Sequence, residues 1–202
     1  MPKGYTSRSK IENFLLITVD ESFHDQVDNF IEDTERFIDT YTERNFVADS
    51  ESSARYYDGF DTRELRIDDC VEVETVEIGG DDYGHSSASF EETTDYITSP
   101  ANAIARDTPI NTIILTKSYF PGGVQNHRVT AKWGYSEACP GDISMAATIL
   151  AAHLWKFGRG GITGGISQEK IGNYSVSYDN DKDKQDYDRA IAILDRYVKH
   201  YL

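Results

Sequence analysis

The spacing of apolar residues changes twice along the chain, which limits the folds open to it. Between residues 23 and 41 apolar side chains recur at helical spacing, on one face of a helix whose N-cap is Asp20 or Ser22. Short runs of β-forming residues, separated by turn residues, fill 54–138. Helical spacing returns after Pro140. This order predicts an α+β fold with helices at both ends and an antiparallel β segment inserted between them.

The β segment contains six candidate strands and few apolar runs long enough for a helix. Strict alternation at 71–74 indicates a strand with one solvated face, and Asp58-Gly59 is a dipeptide typical of hairpin turns. These features predict an antiparallel sheet or a small barrel. The predicted strands are 54–57, 65–67, 71–78, 95–98, 112–116 and 128–135.

The C-terminal part begins with a helix over 140–157 that is apolar on nearly every face, which predicts burial in the core or between subunits. An alternating stretch at 170–178 predicts a strand or an extended arm, and apolar spacing predicts a last helix from about 185 to 201. Neither terminal helical block can bury its apolar face alone, so the two are expected to pack together. We therefore expect a discontinuous helical core, 1–46 with 139–202, and a β-rich insertion at 47–138.

The chain is strongly acidic, with 35 acidic and 20 basic residues and a net charge of −15. This charge argues against a general binder of nucleic acids or anionic membranes, since both surfaces would repel it. No apolar run is long enough to span a bilayer, so no membrane partner is expected. Aspartate is abundant and lysine is scarce, a composition typical of halophilic proteins, although an acidic protein from an ordinary source fits equally well.

Motifs for catalysis or metal binding are weak or incomplete. The stretch 179–183 has the early spacing of a calcium loop, but Lys184 and Ala190 occupy the positions that need glycine and glutamate. No nucleophile elbow and no paired histidine motif is present. We therefore expect no catalytic residues, no metal site and no cofactor. The glycine run after the buried helix lacks the phosphate-loop pattern and predicts a flexible hinge at Gly158, Gly160, Gly161, Gly164 and Gly165.

Three sequence blocks resemble one family. Residues 37–46 (FIDTYTERNF) resemble an I-x-x-x-T-x-R-x-F helix end, 133–146 (WGYSEACPGDISMA) resemble a G-Y-x-x-x-P-x-D-I-x-x-A helix entry, and 169–178 read EKIGNYSVSY. Their order and spacing are similar to those of head–tail connector (adaptor) proteins of tailed bacteriophages and archaeal tailed viruses. The segment 47–132 is longer and more β-rich than a minimal member of that family needs.

The resemblance implies a structural protein of the virion neck rather than an enzyme. Such adaptors form a ring, expected here to have twelve copies, under the portal protein. They extend the channel for double-stranded DNA, which passes without specific binding. They also dock a stopper or tail-completion protein. The particle is expected to assemble in the host cytoplasm. We expect subunit or portal contacts at Ile171, Tyr174, Val176, Tyr178, Tyr187, Ile191, Leu194, Tyr197, Val198 and Tyr201.

Two other functions remain open from the sequence. The first is a different neck or tail protein, such as a stopper or a tail terminator, although those proteins are mostly β and this chain has several helices. The second is a hydrolase with a carboxylate pair in the β segment, for which no motif selects a pair.

Overall fold

The computed structural model describes residues 3–79, 89–159, 168–171, 174–177 and 181–199. Within these ranges the chain forms four α-helices and eight strands, so the predicted α+β class, with terminal helices and an antiparallel sheet, is confirmed. The chain divides into two compact units. Met1–Phe46 and Cys139–Leu202 form one, here called the helical unit, and Val47–Ala138 form the other, the β unit.

The helical unit is built around one central helix, which packs against the other three. Between Ile143 and Trp155 every side chain of this helix is buried except Met145, as its apolar composition predicts. A two-stranded antiparallel hairpin belongs to the same unit. The elements are α1 (Arg8–Leu15), α2 (His24–Thr42), α3 (Gly141–Arg159), β7 (Gln168–Ile171), β8 (Tyr174–Ser177) and α4 (Asp181–Asp195).

Helix α2 is preceded by a 3₁₀ turn, Glu21–Phe23, so neither predicted cap lies at its start, and its N-cap is Phe23. Asp20 instead caps the turn, because its carboxylate accepts a hydrogen bond from the Ser22 backbone N–H at 3.0 Å. The buried side of α2 includes Val27, Ile31 and Ile38, which lie on the apolar face that the sequence predicts.

The C-terminal prediction was wrong in its boundaries. Helix α4 starts at Asp181 and ends at Asp195, rather than running from 185 to 201. Beyond its end the backbone bonds elsewhere, since the Lys199 N–H donates to the Thr42 carbonyl at 3.0 Å. Of the stretch 170–178, predicted as a strand or an extended arm, residues 174–177 form the strand β8, which pairs with β7. Local spacing could not show either tertiary contact.

The β unit is one antiparallel sheet of six strands in the order β1-β6-β2-β5-β4, with the short β3 paired to β2. The strands are β1 (Ser53–Gly59), β2 (Glu64–Ile78), β3 (Glu91–Thr93), β4 (Tyr96–Ser99), β5 (Ile110–Leu115) and β6 (Gly123–Trp133). Its buried core comprises Leu65, Ile67, Cys70, Val76, Ala103, Ile110, Ile113, Leu115, Phe120, Val129, Ala131 and Trp133.

Two predictions for the β unit were wrong, and one short strand was not predicted. Asp58-Gly59 does not connect neighbouring strands, because β1 pairs with β6, and the Asp58 carboxylate and Gly59 N–H bond to residues 125 and 126. The two strands predicted at 65–67 and 71–78 are the single strand β2, interrupted by bulges. Strand β3 lies in a polar stretch that had no strand signal.

Candidate interaction surfaces

Two of the residues predicted as contacts on the last helix are buried within their own subunit. Tyr187 and Leu194 are buried in the helical unit. Ile191, Tyr197 and Val198 are half-buried, and the last two follow α4 rather than belonging to its face. Tyr187 and Leu194 therefore serve the core of their own subunit in this fold.

The second group of predicted contacts lies on the hairpin. Ile171 ends β7 and pairs with Tyr174 at the start of β8, and Val176 lies two residues further along. Tyr178 and Tyr201 lie outside the described residues.

The segment after α4 is held to the start of α3. The Tyr197 hydroxyl contacts both carboxylate oxygens of Asp142, at 2.9 and 2.8 Å, and the Arg196 guanidinium donates to the same carboxylate at 3.0 Å. The Tyr197 ring stands edge-on to the Phe46 ring. The Tyr197 backbone carbonyl accepts a hydrogen bond from the Arg44 Nε–H at 2.6 Å. These bonds fix the backbone between α4 and residue 199.

The predicted hinge begins inside a helix. Gly158 lies in the last turn of α3, where a Cβ would come within 2.9 Å of the Phe30 ring, so the glycine permits close packing of α3 on α2. Gly160, Gly161, Gly164 and Gly165 lie outside the described residues. A hinge in this stretch stays a prediction.

Burial shifts the pKa values of both cysteine thiols and of two histidine rings. Burial raises the pKa of the Cys70 thiol and of the Cys139 thiol to about 12, so both stay protonated at neutral pH. Burial lowers the pKa of His127 and of His153, which keeps their rings neutral. In the described parts of the chain, no cluster of three or more histidine, cysteine or acidic residues could hold a metal ion. Asp183, in the calcium-like stretch, instead pairs with Lys156 at 2.8 Å.

Two exposed apolar features stand out. In the helical unit, the end of α1 exposes Leu16 by 91%, and Phe14 and Ile17 by 40% each. We call Phe14, Leu16 and Ile17 the apolar knob. Large apolar side chains grouped within four residues at a surface are typical of protein–protein contacts.

In the β unit, the turn between β1 and β2 and the loop between β5 and β6 meet at one end of the sheet. The two are joined by an isolated bridge between Thr62 and Phe120. Here Phe60 is 75% and Tyr119 57% exposed, and the Arg63 guanidinium lies 5.2 Å from the centre of the Tyr119 ring. They line an open groove of about 760 Å³. Exposed aromatic and arginine side chains are enriched at protein interfaces.

The same end of the sheet is stiffened by polar side chains. The Asp61 carboxylate accepts from the Gly122 N–H at 2.8 Å, and the Asp58 carboxylate accepts from the Gln125 N–H at 2.7 Å. A Cβ at Gly122 would lie 2.8 Å from the Asp61 carboxylate. The aromatic residues are therefore presented from a fixed backbone, which lowers the entropy lost on binding.

Solved structures of virus-like particles share this architecture over the whole chain. A neck of an empty GTA particle, computed with C6 symmetry, matches 100% of this chain and 93% of its own, with a TM-score of 0.56 and 14% identity. A neck of a native GTA particle, computed with C12 symmetry, matches 100% of this chain and 92% of its own, with a TM-score of 0.57 and 10% identity. The chain has the fold of a virion neck protein. A virion of a native gene transfer agent (GTA) particle contains a further match, with a TM-score of 0.55, 13% identity and coverage of 100% and 93%.

The similarity of the fold to these neck structures confirms the resemblance that the three sequence blocks indicated. The match covers the β unit as well as the helices, so the long segment 47–132 has a counterpart in these neck proteins. No protein-family model matches the chain, and no curated protein is similar to it in sequence. Among the described helices, none combines the length and apolar character needed to cross a bilayer.

Proposed function

We propose that this chain is the head–tail adaptor of a tailed virion or a virion-like particle, and has no catalytic role. In this proposal twelve copies form a ring under the portal protein, extend the channel for double-stranded DNA and dock the next neck protein. The observation that carries the proposal is the match of the whole chain to neck proteins in particles with C6 and C12 symmetry. The raised pKa values of both thiols agree with a structural role.

The net charge of −15 supports a channel function in one respect. An acidic wall repels DNA phosphates, so DNA can pass without sticking. At high salt this repulsion is screened within about 3 Å, and the abundance of aspartate would then reflect a halophilic host.

The experiment that tests the proposed location is immunogold labelling of purified particles, before and after mild removal of the tails. We expect gold at the single portal vertex, with stronger labelling once the tail no longer covers the ring. An antibody against the major capsid protein serves as the control, since it should label the whole shell. Absence of this chain from purified particles would overturn the structural role.

We propose that the β7–β8 hairpin contacts the portal protein through Tyr174 and Val176. The double substitution Tyr174→Asp/Val176→Asp introduces two charges into β8, and we expect portal binding to fall at least tenfold, because burying an unpaired charge is costly. The measurement is the dissociation constant for purified portal protein. The matched control is Ser175→Asp/Ser177→Asp, which adds the same number of charges at the other two positions of β8. Equal binding by the two double variants would contradict this assignment.

We place the dock for the next neck protein at the aromatic end of the β unit, around Phe60 and Tyr119. Its support is the combination of exposed aromatic rings, Arg63 and a backbone fixed by side-chain bonds. Aromatic and arginine side chains supply most of the energetic anchors in protein interfaces.

A further inference from the structure

The apolar knob contains a residue that is unusual in two ways. Leu16 is 91% exposed, and its backbone has φ = 55°, in the left-handed region. Helices commonly end in this conformation, but glycine occupies the position most often because a Cβ is strained there. A leucine at this position adds strain and exposes apolar surface, and neither effect stabilises the isolated subunit. The combination of the two makes Leu16 a candidate for a functional contact.

The backbone of the knob is held independently of the Leu16 side chain. The Glu12 carbonyl accepts from the N–H groups of Leu16 and Ile17, and the Glu12 carboxylate accepts from the Val19 N–H at 2.8 Å. Ile11 before the knob and Val19 after it are buried. The knob is therefore a rigid projection with anchors on both sides.

The charge of the chain indicates what covers the knob. Residues 13–19 (NFLLITV) contain no charged group, in a chain whose net charge is −15. Two copies of this chain repel each other through most of their surface, so an attractive contact between copies needs a surface that is uncharged and apolar. A cyclic ring also joins two unlike surfaces of neighbouring subunits, which allows a projection on one to enter the next.

We propose that the apolar knob, Phe14, Leu16 and Ile17, is a contact between adjacent copies of this chain. The inference rests on the ring assembly proposed above and adds the surface through which the ring closes. The partner is a second copy, which the run of uncharged residues favours over a portal or tail protein.

The test uses two substitutions to glycine at matched positions. Leu16→Gly removes the apolar side chain and relieves the left-handed strain, so the subunit should fold at least as stably as the wild type. Glu43→Gly is the control, because Glu43 is exposed, has φ = 55° and follows α2 as Leu16 follows α1. We expect Leu16→Gly to raise the protein concentration needed for ring formation at least tenfold, measured by sedimentation velocity, and Glu43→Gly not to raise it. Leu16→Asn should behave like Leu16→Gly, because asparagine also tolerates the left-handed backbone conformation.

A photo-crosslinking amino acid at position 16, in assembled particles, identifies the occupant. We expect bands at multiples of the mass of this chain. Crosslinks to the portal or to another neck protein instead would overturn the inference and leave the adaptor function standing. The inference would also be overturned, and the adaptor function left standing, if the wild type forms a ring and Leu16→Gly forms it at the same protein concentration. A wild-type chain that forms no ring in solution and is absent from particles would overturn both proposals.

Discussion

Replacing Trp133 with alanine is expected to lower the free energy of unfolding of the β unit by about 3–5 kcal/mol. Trp133 ends β6, is 1% exposed and lies in the core of the sheet. Its Nε1–H donates to the Ser53 carbonyl at 2.8 Å, and the Arg55 guanidinium lies 4.4 Å from the centre of its ring. The substitution therefore leaves a large cavity, removes a cation–π contact and removes the hydrogen bond to the Ser53 carbonyl on β1.

The thiol of Cys70 provides a local measurement of this effect. Cys70 pairs with Trp133 in the β2–β6 ladder and is buried, so its reaction with a thiol reagent requires the sheet to open. In a Cys139→Ser background, where Cys70 is the single thiol, labelling in urea should begin at a clearly lower concentration for Trp133→Ala. The control is Phe60→Ala, which removes an aromatic ring that is 75% exposed and should change stability by about 0.5 kcal/mol or less. Identical labelling of the two variants would show that Trp133 does not support the core.

Replacing Glu35 with glutamine is expected to destabilise the helical unit by about 2–3 kcal/mol. Glu35 is 2% exposed on α2, and its two carboxylate oxygens accept from the backbone N–H groups of Tyr5, at 2.8 Å, and of Lys3. Glutamine has nearly the same shape, but its amide nitrogen cannot accept a hydrogen bond. One backbone N–H therefore loses its partner and faces another donor.

Two readouts separate this role from a general loss of packing. Urea unfolding followed by Trp155 fluorescence, in a Trp133→Phe background, reports the helical unit, because Trp155 is buried in α3. Amide exchange at Tyr5 or at Lys3 should accelerate in Glu35→Gln before the unit unfolds as a whole, since the amide oxygen can accept from one of them only. Glu32→Gln, a half-exposed position on the same helix, should alter both readouts little. Unchanged exchange at both residues in Glu35→Gln would show that the segment is anchored by other contacts.

The fold class could be predicted because it depends on local periodicity. The helical spacing between residues 23 and 41 agrees with α2, and the apolar composition after Pro140 agrees with the buried helix α3. Alternation at 71–74 falls within β2. Each pattern reports which faces of one element are buried, and neighbouring residues alone determine it.

Features that depend on distant partners could not be predicted. A turn dipeptide at Asp58-Gly59 predicted a hairpin, but β1 pairs with β6, a strand more than sixty residues away. The last helix stops at Asp195 because Tyr197 and Lys199 bond to other parts of the helical unit. Apolar spacing along the sequence carries no information about these bonds.

The candidate contact residues show the same division. Tyr187 and Leu194 have the apolar character of contact residues, but the fold buries them in their own subunit. Leu16 lies in an apolar stretch of the sequence, and nothing in that stretch marked it as exposed. A helix end in the left-handed conformation, usually signalled by glycine, turned this leucine outward.

The sequence by itself determined the α+β class, the approximate positions of its longer helices and strands and the acidic surface, because periodicity and charge are properties of the residues alone. Three sequence blocks also predicted the neck-protein fold. Only the tertiary structure decided the strand order, the end of α4, the buried role of Glu35 and the exposure of the apolar knob. These depend on which distant backbone groups meet, and hydrogen bonds and packing between distant segments leave no local pattern.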